Sequence, residues 1–317
     1  MKLSTESYKG VRDFYPEDMA IQNYIFSVWK KVVESFGYAE YSASILEPAE
    51  LYRAKSGEEI VNEQMFTFID RGGREVALRP EMTPSLARMV AARRKSLKFP
   101  LRWYSIPNVF RYEKPQHGRK REHWQLNCDL MGIAGVEADV EIISLAHAIM
   151  KAFGAKDEDF EIKIGSRKFL NGLLVDELGI HPENAKKIIH ALDRLPKMST
   201  EEVEAAETEL NISFEEIEKM SEEPQKDINA ILVPLKKLGI SNVKFDPTVT
   251  RGFDYYTDMV FEVFDTSPEN NRSLFGGGRY DNLLEIFGVD PIPTVGFGMG
   301  DVTIRDFLLT HKLPCGK

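Results

Sequence analysis

Hydrophobic residues recur at helical spacing in three parts of the chain. The segment Glu17–Phe36 predicts a long amphipathic helix, with apolar side chains three and four positions apart. A second helix is predicted over Pro84–Ala92, with Thr83 as its N-cap and proline at its first position. The segment Asp139–Phe153 has the same periodicity and predicts a third helix.

Shorter runs between these helices are typical of strands. The runs Gln64–Ile69 and Glu75–Leu78 flank the turn residues Asp70–Gly73, which predicts a β-hairpin. Seven more strands are predicted from similar runs: Leu101–Tyr104, Val109–Tyr112, Glu122–Gly132, Phe160–Ile164, Val243–Phe245, Met259–Phe264 and Thr294–Phe297.

The stretch from Ser166 to about Ile240 differs because its pattern is almost purely helical. Two capping boxes occur in it, one pairing Ser199 with Glu202 and the other pairing Ser213 with Glu216. We therefore expect an α+β fold with a mostly antiparallel sheet flanked by helices and interrupted by a helical insertion domain. The predicted domains are residues 1–165, 166–240 and 241–317.

Composition excludes several classes of protein. The chain has 317 residues, of which 43% are hydrophobic and 29% charged, as in ordinary globular proteins. No apolar run approaches the roughly 20 residues of a membrane span, and the first residues lack the apolar core of a signal peptide. Two cysteines and six scattered histidines indicate neither a disulfide framework nor a metal cluster. We expect a cytoplasmic protein.

Charge is unevenly distributed along the chain. Residues 199–223 contain ten acidic side chains and one lysine, whereas residues 88–122 contain eleven basic side chains and two acidic ones. The acidic run is typical of a solvated helix face. The basic run alternates with aromatic residues, which suits an anionic ligand, although a solvated surface remains the alternative.

Four segments carry candidate chemistry, and one of them, Leu78–Thr83, offers Glu81 and Thr83 to an ammonium group, unless Thr83 is only a helix cap. Arg111–Glu113 with Gly118–Glu122 would present several guanidinium groups at one end of a sheet, as a triphosphate requires, or form a surface hairpin with ordinary salt bridges. Arg251–Tyr256 places a glycine beside an arginine and two tyrosines, which also suits a core aromatic pair. Leu274–Tyr280 contains three consecutive glycines without the lysine of a P-loop.

The order of these segments resembles the catalytic core of the histidyl-tRNA synthetase family, whose members are class II aminoacyl-tRNA synthetases. The resemblance runs from Tyr8 to about Phe307. Pro48 stands where the family's dimer-forming motif 1 has its proline, Phe110–Glu122 resembles motif 2, and Arg251–Tyr256 resembles the histidine-specific segment. The implied fold is class II synthetase-like, with the helical insertion expected over the tRNA acceptor arm.

The resemblance implies activation of L-histidine with ATP to histidyl-adenylate and pyrophosphate, followed by transfer of histidine to the 3′ end of tRNA(His). It also implies a homodimer, Mg²⁺ that accompanies ATP without a protein cage, and no membrane association. The implied catalytic residues are Arg111 and Arg251. The implied histidine-binding residues are Glu81, Thr83, Arg111, Gln125, Asp129, Arg251, Tyr255, Tyr256 and Tyr280, and the implied ATP-binding residues are Arg111, Glu113, Arg119 and Arg121.

Three departures from the family pattern are visible. Asp129 stands where many members have glutamate. Thr303 occupies the position of the motif 3 arginine, and Arg305 lies two residues further on, about 200° around a helix. The sequence ends at Lys317, whereas most members continue into an anticodon-binding domain, which was either removed or never present.

These departures leave a second interpretation open. A paralogue of this fold is a non-catalytic regulatory subunit of ATP phosphoribosyltransferase in histidine biosynthesis. Arg111, Arg121 and the segment Arg251–Tyr256 favour the synthetase, because a non-catalytic paralogue does not need the full set of phosphate-binding residues.

Overall fold

The computed structural model of the protein describes residues 3–54, 56, 60–114, 118–195, 198–220, 226–251, 255–270 and 273–315, with residue 218 described by its backbone alone. Within these ranges the α-helices are, in chain order from α1 to α10, Pro16–Ser35, Ala49–Arg53, Thr83–Arg93, Val136–Ala152, Arg167–Asn171, Pro182–Arg194, Thr200–Leu210, Phe214–Met220, Lys226–Lys237 and Asp301–Thr310. Single turns of other helix types occupy Ile60–Gln64, Gly172–Glu177 and Leu283–Phe287.

The strands are, from β1 to β12, Ala39–Glu40, Leu46–Pro48, Phe66–Ile69, Glu75–Leu78, Leu101–Ser105, Asn108–Phe110, Glu122–Met131, Phe160–Ser166, Val243–Phe245, Met259–Asp265, Ser273–Arg279 and Thr294–Gly300. Eight of them form a sheet in the order β1-β5-β7-β12-β11-β10-β8-β9, and β6 pairs with the start of β7. The β1–β5 and β8–β9 pairs are parallel and the others antiparallel. The predicted mostly antiparallel sheet flanked by helices is confirmed.

One face of this sheet packs into the main hydrophobic core, against helices α1, α4, α9 and α10. Strand β7 shows how the sequence separates the faces. Its residues Leu126, Cys128 and Leu130 are fully buried in that core. Because side chains alternate along a strand, Gln125 and Asp129 extend from the opposite face.

The helical insertion has a small core of its own. Apolar residues of α5, α6 and α8, together with the turn Gly172–Glu177, form a separate buried cluster. Helix α9 does not join it, since its buried residues Ile228, Ile231 and Leu235 pack in the main core. The core of the insertion therefore ends with α8, short of residue 240. Both halves of the Ser199–Glu202 capping box are present, and Ser213 accepts from the backbone N–H of Glu216.

Strands β2, β4 and β3 form a separate antiparallel sheet. The predicted hairpin is present in it, with Asp70 accepting hydrogen bonds from the backbone N–H groups of Gly72 and Arg74 across the turn. This turn is the Asx type expected when aspartate precedes glycine.

One local expectation was wrong, and one long strand was missed. Thr83 is the first residue of α3 and not its N-cap, because Met82 occupies the cap and the Thr83 hydroxyl is hydrogen-bonded to Tyr255. Strand β11 was not predicted, because three glycines interrupt its hydrophobic pattern and glycine is depleted in strands.

Helix α10 begins with a buried carboxylate that joins distant parts of the chain. Asp301 accepts hydrogen bonds from Arg12 at 2.8 Å, from Gln22 at 3.0 Å and from the backbone N–H of Trp124 at 2.9 Å. These contacts hold the N-terminal segment, α1 and β7 together beside the end of β12. A carboxylate with this many donors satisfies the hydrogen-bonding requirement of a buried charge.

In the described ranges, no helix combines the length with the apolar character needed to cross a membrane.

Candidate active site

The sheet face opposite the main core forms a pocket over strands β7, β12 and β11. Glycines of the two latter strands line its floor, and polar side chains of β7 line one side. The lining residues are Glu81, Thr83, Arg111, Gln125, Asn127, Asp129, Arg251, Tyr255, Tyr256, Gly276, Tyr280, Gly296, Phe297 and Gly298.

The floor has glycine where any side chain would fill the pocket. A Cβ on Gly298 would lie 2.5 Å from Gln125 Nε2, and one on Gly296 would lie 2.6 Å from Asp129 Oδ1. A Cβ on Gly276 would lie 3.1 Å from Arg251 Nη1 and 2.3 Å from a backbone oxygen. The polar side chains therefore lie directly over the backbone of β12 and β11.

One end of the pocket combines a carboxyl group with three tyrosines. Tyr280 donates a hydrogen bond to Asp129 Oδ1, while Asp129 Oδ2 has no hydrogen-bond partner among the described residues. The Tyr255 and Tyr256 rings are 4.9 Å apart, and the Tyr280 ring lies 5.5 Å from that of Tyr255, edge to face. Burial raises the pKa of Asp129 to about 7, against the opposing effect of the Tyr280 hydrogen bond.

A second buried carboxyl group, Glu81, lies where β4 leads into α3. Ser56 donates to its Oε1, and the Tyr255 hydroxyl donates to its Oε2 at 3.2 Å. Burial raises the pKa of Glu81, although these donors and the charge of Arg111 act in the opposite direction. Glu81 and Asp129 thus give the pocket two acceptors for the N–H groups of a ligand.

Two arginines reach the pocket from opposite sides of the floor. Arg111 follows β6 beside β7, and its Nε donates to the carbonyl of Pro80 at 2.9 Å. Arg251 lies over β11, and its Nη1 donates to Glu262 of β10. Burial acts to lower the pKa of Arg251, but the Glu262 carboxylate outweighs it and raises that pKa, so the guanidinium stays charged.

The backbone of Arg251 has a left-handed conformation, with φ at 59°. A residue other than glycine adopts this conformation at an energetic cost, and such residues concentrate at functional sites. Arg167 of α5 holds this backbone in place, with its Nε donating to the carbonyl of Thr250 at 2.9 Å and its Nη2 donating to that of Arg251. The start of the insertion therefore positions Arg251.

The hairpin that joins β6 to β7 carries the other predicted phosphate-binding residues, outside the residues that line the pocket. The Arg121 guanidinium lies 3.8 Å from the centre of the Tyr112 ring, and its Nε donates to the carbonyl of Glu113 at 3.2 Å. Arg119 Nε lies 3.6 Å from Glu113 Oε2, which is buried and accepts no hydrogen bond from the described residues. This hairpin presents the guanidinium groups of Arg119 and Arg121 to an anion. The Glu113 carboxylate oxygen beside them can accept from a donor on the same ligand.

His123 is on the same face of β7 as Gln125 and Asp129, and sequence reasoning missed it. Its pKa is lowered to about 3 by burial, and by the charges of Arg111 and Arg12. The imidazole is therefore neutral at physiological pH. The cationic neighbours of His123 show that positive charge is concentrated where strand β7 begins.

Neither Thr303 nor Arg305 adds a cation here. The Thr303 hydroxyl donates to the carbonyls of Leu274 and Gly300, at 2.7 and 3.2 Å. Arg305 pairs with Asp18 of α1 at 3.1 Å.

All nine predicted histidine-binding residues line the one pocket, whereas Glu113, Arg119 and Arg121 lie on the adjoining hairpin. Parts of two predicted segments, residues 115–117 and 252–254, lie outside the described residues. Sequence reasoning missed Asn127 and Arg167. Alternation along β7 could have identified Asn127, but no local signal marks Arg167, because its role depends on tertiary contacts.

Comparison with known proteins identifies the family of this chain. The family model described as Histidyl-tRNA synthetase matches residues 10–301. This chain belongs to the histidyl-tRNA synthetase family. The matched range includes the pocket, the β6–β7 hairpin and the helical insertion.

Curated relatives and solved structures agree with the histidyl-tRNA synthetase assignment. The Histidine--tRNA ligase of Leptospira biflexa serovar Patoc (strain Patoc 1 / Ames) is 49% identical over 331 aligned residues, covering 98% of this chain and 76% of the relative. That of Thermoplasma volcanium is 42% identical over 332 aligned residues, with the same coverage of 98% and 76%.

Among solved structures, an ATP phosphoribosyltransferase regulatory subunit/histidyl-tRNA synthetase from Bacillus halodurans is 28% identical, with a TM-score of 0.78 over 96% of this chain and 84% of the other. The histidyl-tRNA synthetase of Nostoc sp. PCC 7120 has a TM-score of 0.80 at 22% identity, over 98% and 77% of the two chains, and supports the class II synthetase fold alone.

The raised pKa of Asp129 predicts how the stability of this synthetase-family chain depends on pH. Its pKa of about 7 exceeds the ordinary value of 3.8, so between these values the native protein keeps a proton that the unfolded chain releases. The free energy of unfolding therefore loses up to about 4 kcal/mol from this group as pH rises from about 4 to about 7.

We expect Asp129→Asn to remove this contribution, so that its free energy of unfolding falls less than that of the wild type across the same range. Urea unfolding at several pH values measures the difference. The surface variant Asp290→Asn is the control and should follow the wild type. If the free energies of unfolding of the wild type and of Asp129→Asn changed equally with pH, the raised pKa of Asp129 would be contradicted.

Proposed function

We propose that this chain is a histidine–tRNA ligase core, which activates L-histidine with ATP and transfers the histidyl group to the 3′ end of tRNA(His). The observation that carries the proposal is the convergence of nine sequence-predicted residues, two of them arginines, on one pocket. Family membership and the 49% identity to a Histidine--tRNA ligase support it.

In the first step, the carboxylate of histidine attacks the α-phosphorus of ATP and pyrophosphate leaves. Negative charge concentrates on the phosphoryl oxygens while the new P–O bond forms and the old one breaks. Arg111 and Arg251 approach the glycine floor from its two sides, which suits neutralisation of this charge in place. Glu113, Arg119 and Arg121 would hold ATP on the adjoining hairpin.

Recognition of histidine requires partners for two ring nitrogens and one ammonium group. Asp129 Oδ2 provides one acceptor for the imidazole, and the oxygen of the Tyr280 hydroxyl, whose proton is donated to Asp129 Oδ1, provides a second. Glu81, with Thr83 and Gln125 beside the floor, would bind the α-ammonium group. A side chain without ring nitrogens would leave buried polar groups unpaired, which is the strongest basis for rejecting other amino acids.

In the second step, the terminal ribose hydroxyl of tRNA(His) attacks the activated carbonyl and AMP leaves. We place the insertion, predicted as residues 166–240 between core parts 1–165 and 241–317, over the acceptor arm. Its link to the reaction is Arg167, which holds the Arg251 backbone. Mg²⁺ would enter with ATP, bound mainly through the phosphates, as is usual for this ion.

We assign this activity to the cytoplasm, where protein synthesis uses charged tRNA, and cell fractionation tests that assignment.

A homodimer is the proposed assembly, with the small β2–β4–β3 sheet at the interface. Ile45, Leu46, Phe68 and Ile69 lie in or beside its strands and are between 41% and 65% exposed in the single chain. Exposed large apolar side chains within one small sheet suit an interaction site. Pro48 of the motif 1 segment ends strand β2 in the same sheet.

ATP–pyrophosphate exchange tests the proposed activity directly. With each standard amino acid supplied in turn, we expect exchange with histidine alone, because only its side chain satisfies Asp129 and Tyr280. Absence of exchange, with histidine binding retained in calorimetry, would reject the synthetase and favour the regulatory paralogue of ATP phosphoribosyltransferase.

Arg251→Ala is expected to slow histidyl-adenylate formation about 100-fold, since it removes a fixed cation from the developing charge. Histidine binding should weaken much less. Single-turnover kinetics and calorimetry measure the two effects, and Arg251→Gln serves as a second variant able to bond Glu262. The control Arg102→Ala breaks an ion pair with Glu141 of α4 and should leave the rate within about twofold. An unchanged rate in both Arg251 variants would exclude the proposed role.

Sedimentation equilibrium tests the assembly. The wild-type chain is expected at twice its mass of 36.2 kDa. Phe68→Asp should shift it toward the monomer, because a charge would be buried without a partner at the interface. Leu238→Asp, at an exposed leucine beyond α9, is the matched control and should remain dimeric. A monomeric wild type would refute the proposed dimer.

A further inference from the structure

The N-terminal segment Tyr8–Phe14 contacts the β6–β7 hairpin through Tyr8, Gly10 and Phe14, and helix α10 through Arg12. The carbonyl of Gly10 accepts from the backbone N–H of Arg121 at 2.7 Å. Arg12 pairs with Asp301 at 2.8 Å, and the Phe14 ring packs edge to face on Trp124 at 5.3 Å. Backbone and buried contacts therefore fix the position of this segment without the side chain of Tyr8.

The Tyr8 side chain makes a separate contact with the guanidinium group of Arg121. Its hydroxyl accepts a hydrogen bond from Arg121 Nη1 at 3.0 Å. Tyr8 is 56% exposed, so this contact adds little to the buried core, whereas Arg121 is only 8% exposed.

Three groups together determine the orientation of the Arg121 guanidinium. Tyr112 stacks on its face, the carbonyl of Glu113 accepts from its Nε, and Tyr8 accepts from its Nη1. A guanidinium has five N–H groups, and within the described part of the chain the other three have no hydrogen-bond partner. Those N–H groups remain available for phosphate oxygens, which a forked guanidinium matches in geometry.

We propose that Tyr8 is a positioning residue that holds the Arg121 guanidinium in the orientation that binds the phosphates of ATP. The inference rests on the proposed function in taking ATP as the ligand of Arg121. Tyr8 itself acts only through Arg121. Loss of its hydroxyl should weaken ATP binding and leave histidine binding unchanged.

The test compares the wild type with Tyr8→Phe, which removes one hydroxyl and keeps the ring. Binding of Mg·ATP and of histidine is measured separately by calorimetry on the full chain. We expect the Kd for ATP to rise about fivefold, as for loss of one typical hydrogen bond, and the Kd for histidine to stay within about twofold. Tyr15→Phe removes a hydroxyl from another exposed tyrosine of the same region and should change neither constant.

A double-mutant cycle separates positioning from a general effect on the fold. In an Arg121→Ala background, Tyr8→Phe should have no further effect on ATP binding, because the group that it orients is absent. An equal loss in that background would overturn the proposal. So would a wild-type Kd for ATP in Tyr8→Phe, a parallel loss of histidine binding, or a wild type that does not bind ATP.

The outcomes also separate this inference from the proposed function. If Tyr8→Phe weakens ATP binding while the wild type gives no exchange with histidine, the positioning role stands and the ligase proposal fails. If exchange occurs and Tyr8→Phe binds ATP like the wild type, the ligase proposal stands and the role of Tyr8 is rejected.

Discussion

The candidate site depends on the close approach of side chains to a sheet surface that has none of its own. Glycines 276, 296 and 298 form that surface, and an added Cβ on any of them would lie within 3.1 Å of a polar side-chain atom of the site. Strand β12 lies between β7 and β11, so the glycine floor separates Asp129 on one side from Arg251 on the other. A ligand can therefore rest against backbone while charged groups reach it from both sides.

This arrangement places groups in states that are costly in isolation. Asp129 and Glu81 are buried carboxyl groups with raised pKa values, and Arg251 has a left-handed backbone conformation. Each is supported by a neighbour from a different part of the chain: Tyr280, Ser56 and Arg167 respectively. Unfavourable local conformations persist only where the surrounding structure determines them. The α4 and α10 side of the sheet provides that support through a continuous apolar core.

Periodicity predicted most of the helices and strands, because one face of each is buried in the core and the other is polar. Periodicity failed where the local preference of a residue conflicts with what its tertiary packing requires. Strand β11 forms within the sheet despite its glycines, because the adjacent strands leave no space for side chains at those positions. The residues of the pocket came from family resemblance, and periodicity alone could not have assembled them from distant segments. Nothing in the sequence marks Arg167 or Tyr8 as a positioning residue, because each acts through an arginine that is remote in sequence.

The start of α10 explains how the hairpin end of the site is organised without an arginine at position 303. Asp301 is fully buried and holds Arg12, while the Thr303 hydroxyl is engaged with backbone carbonyls. The first turn of α10 therefore anchors the N-terminal segment to the sheet. That segment contacts the β6–β7 hairpin, on which Arg111 and Arg121 are found. Burial lowers the pKa of His123 most, and the charges of Arg111 and Arg12 lower it further, so positive charge at this end comes from the hairpin and the N-terminal segment together. The conformation of residues 8–14 and the electrostatics of the hairpin are consequently coupled.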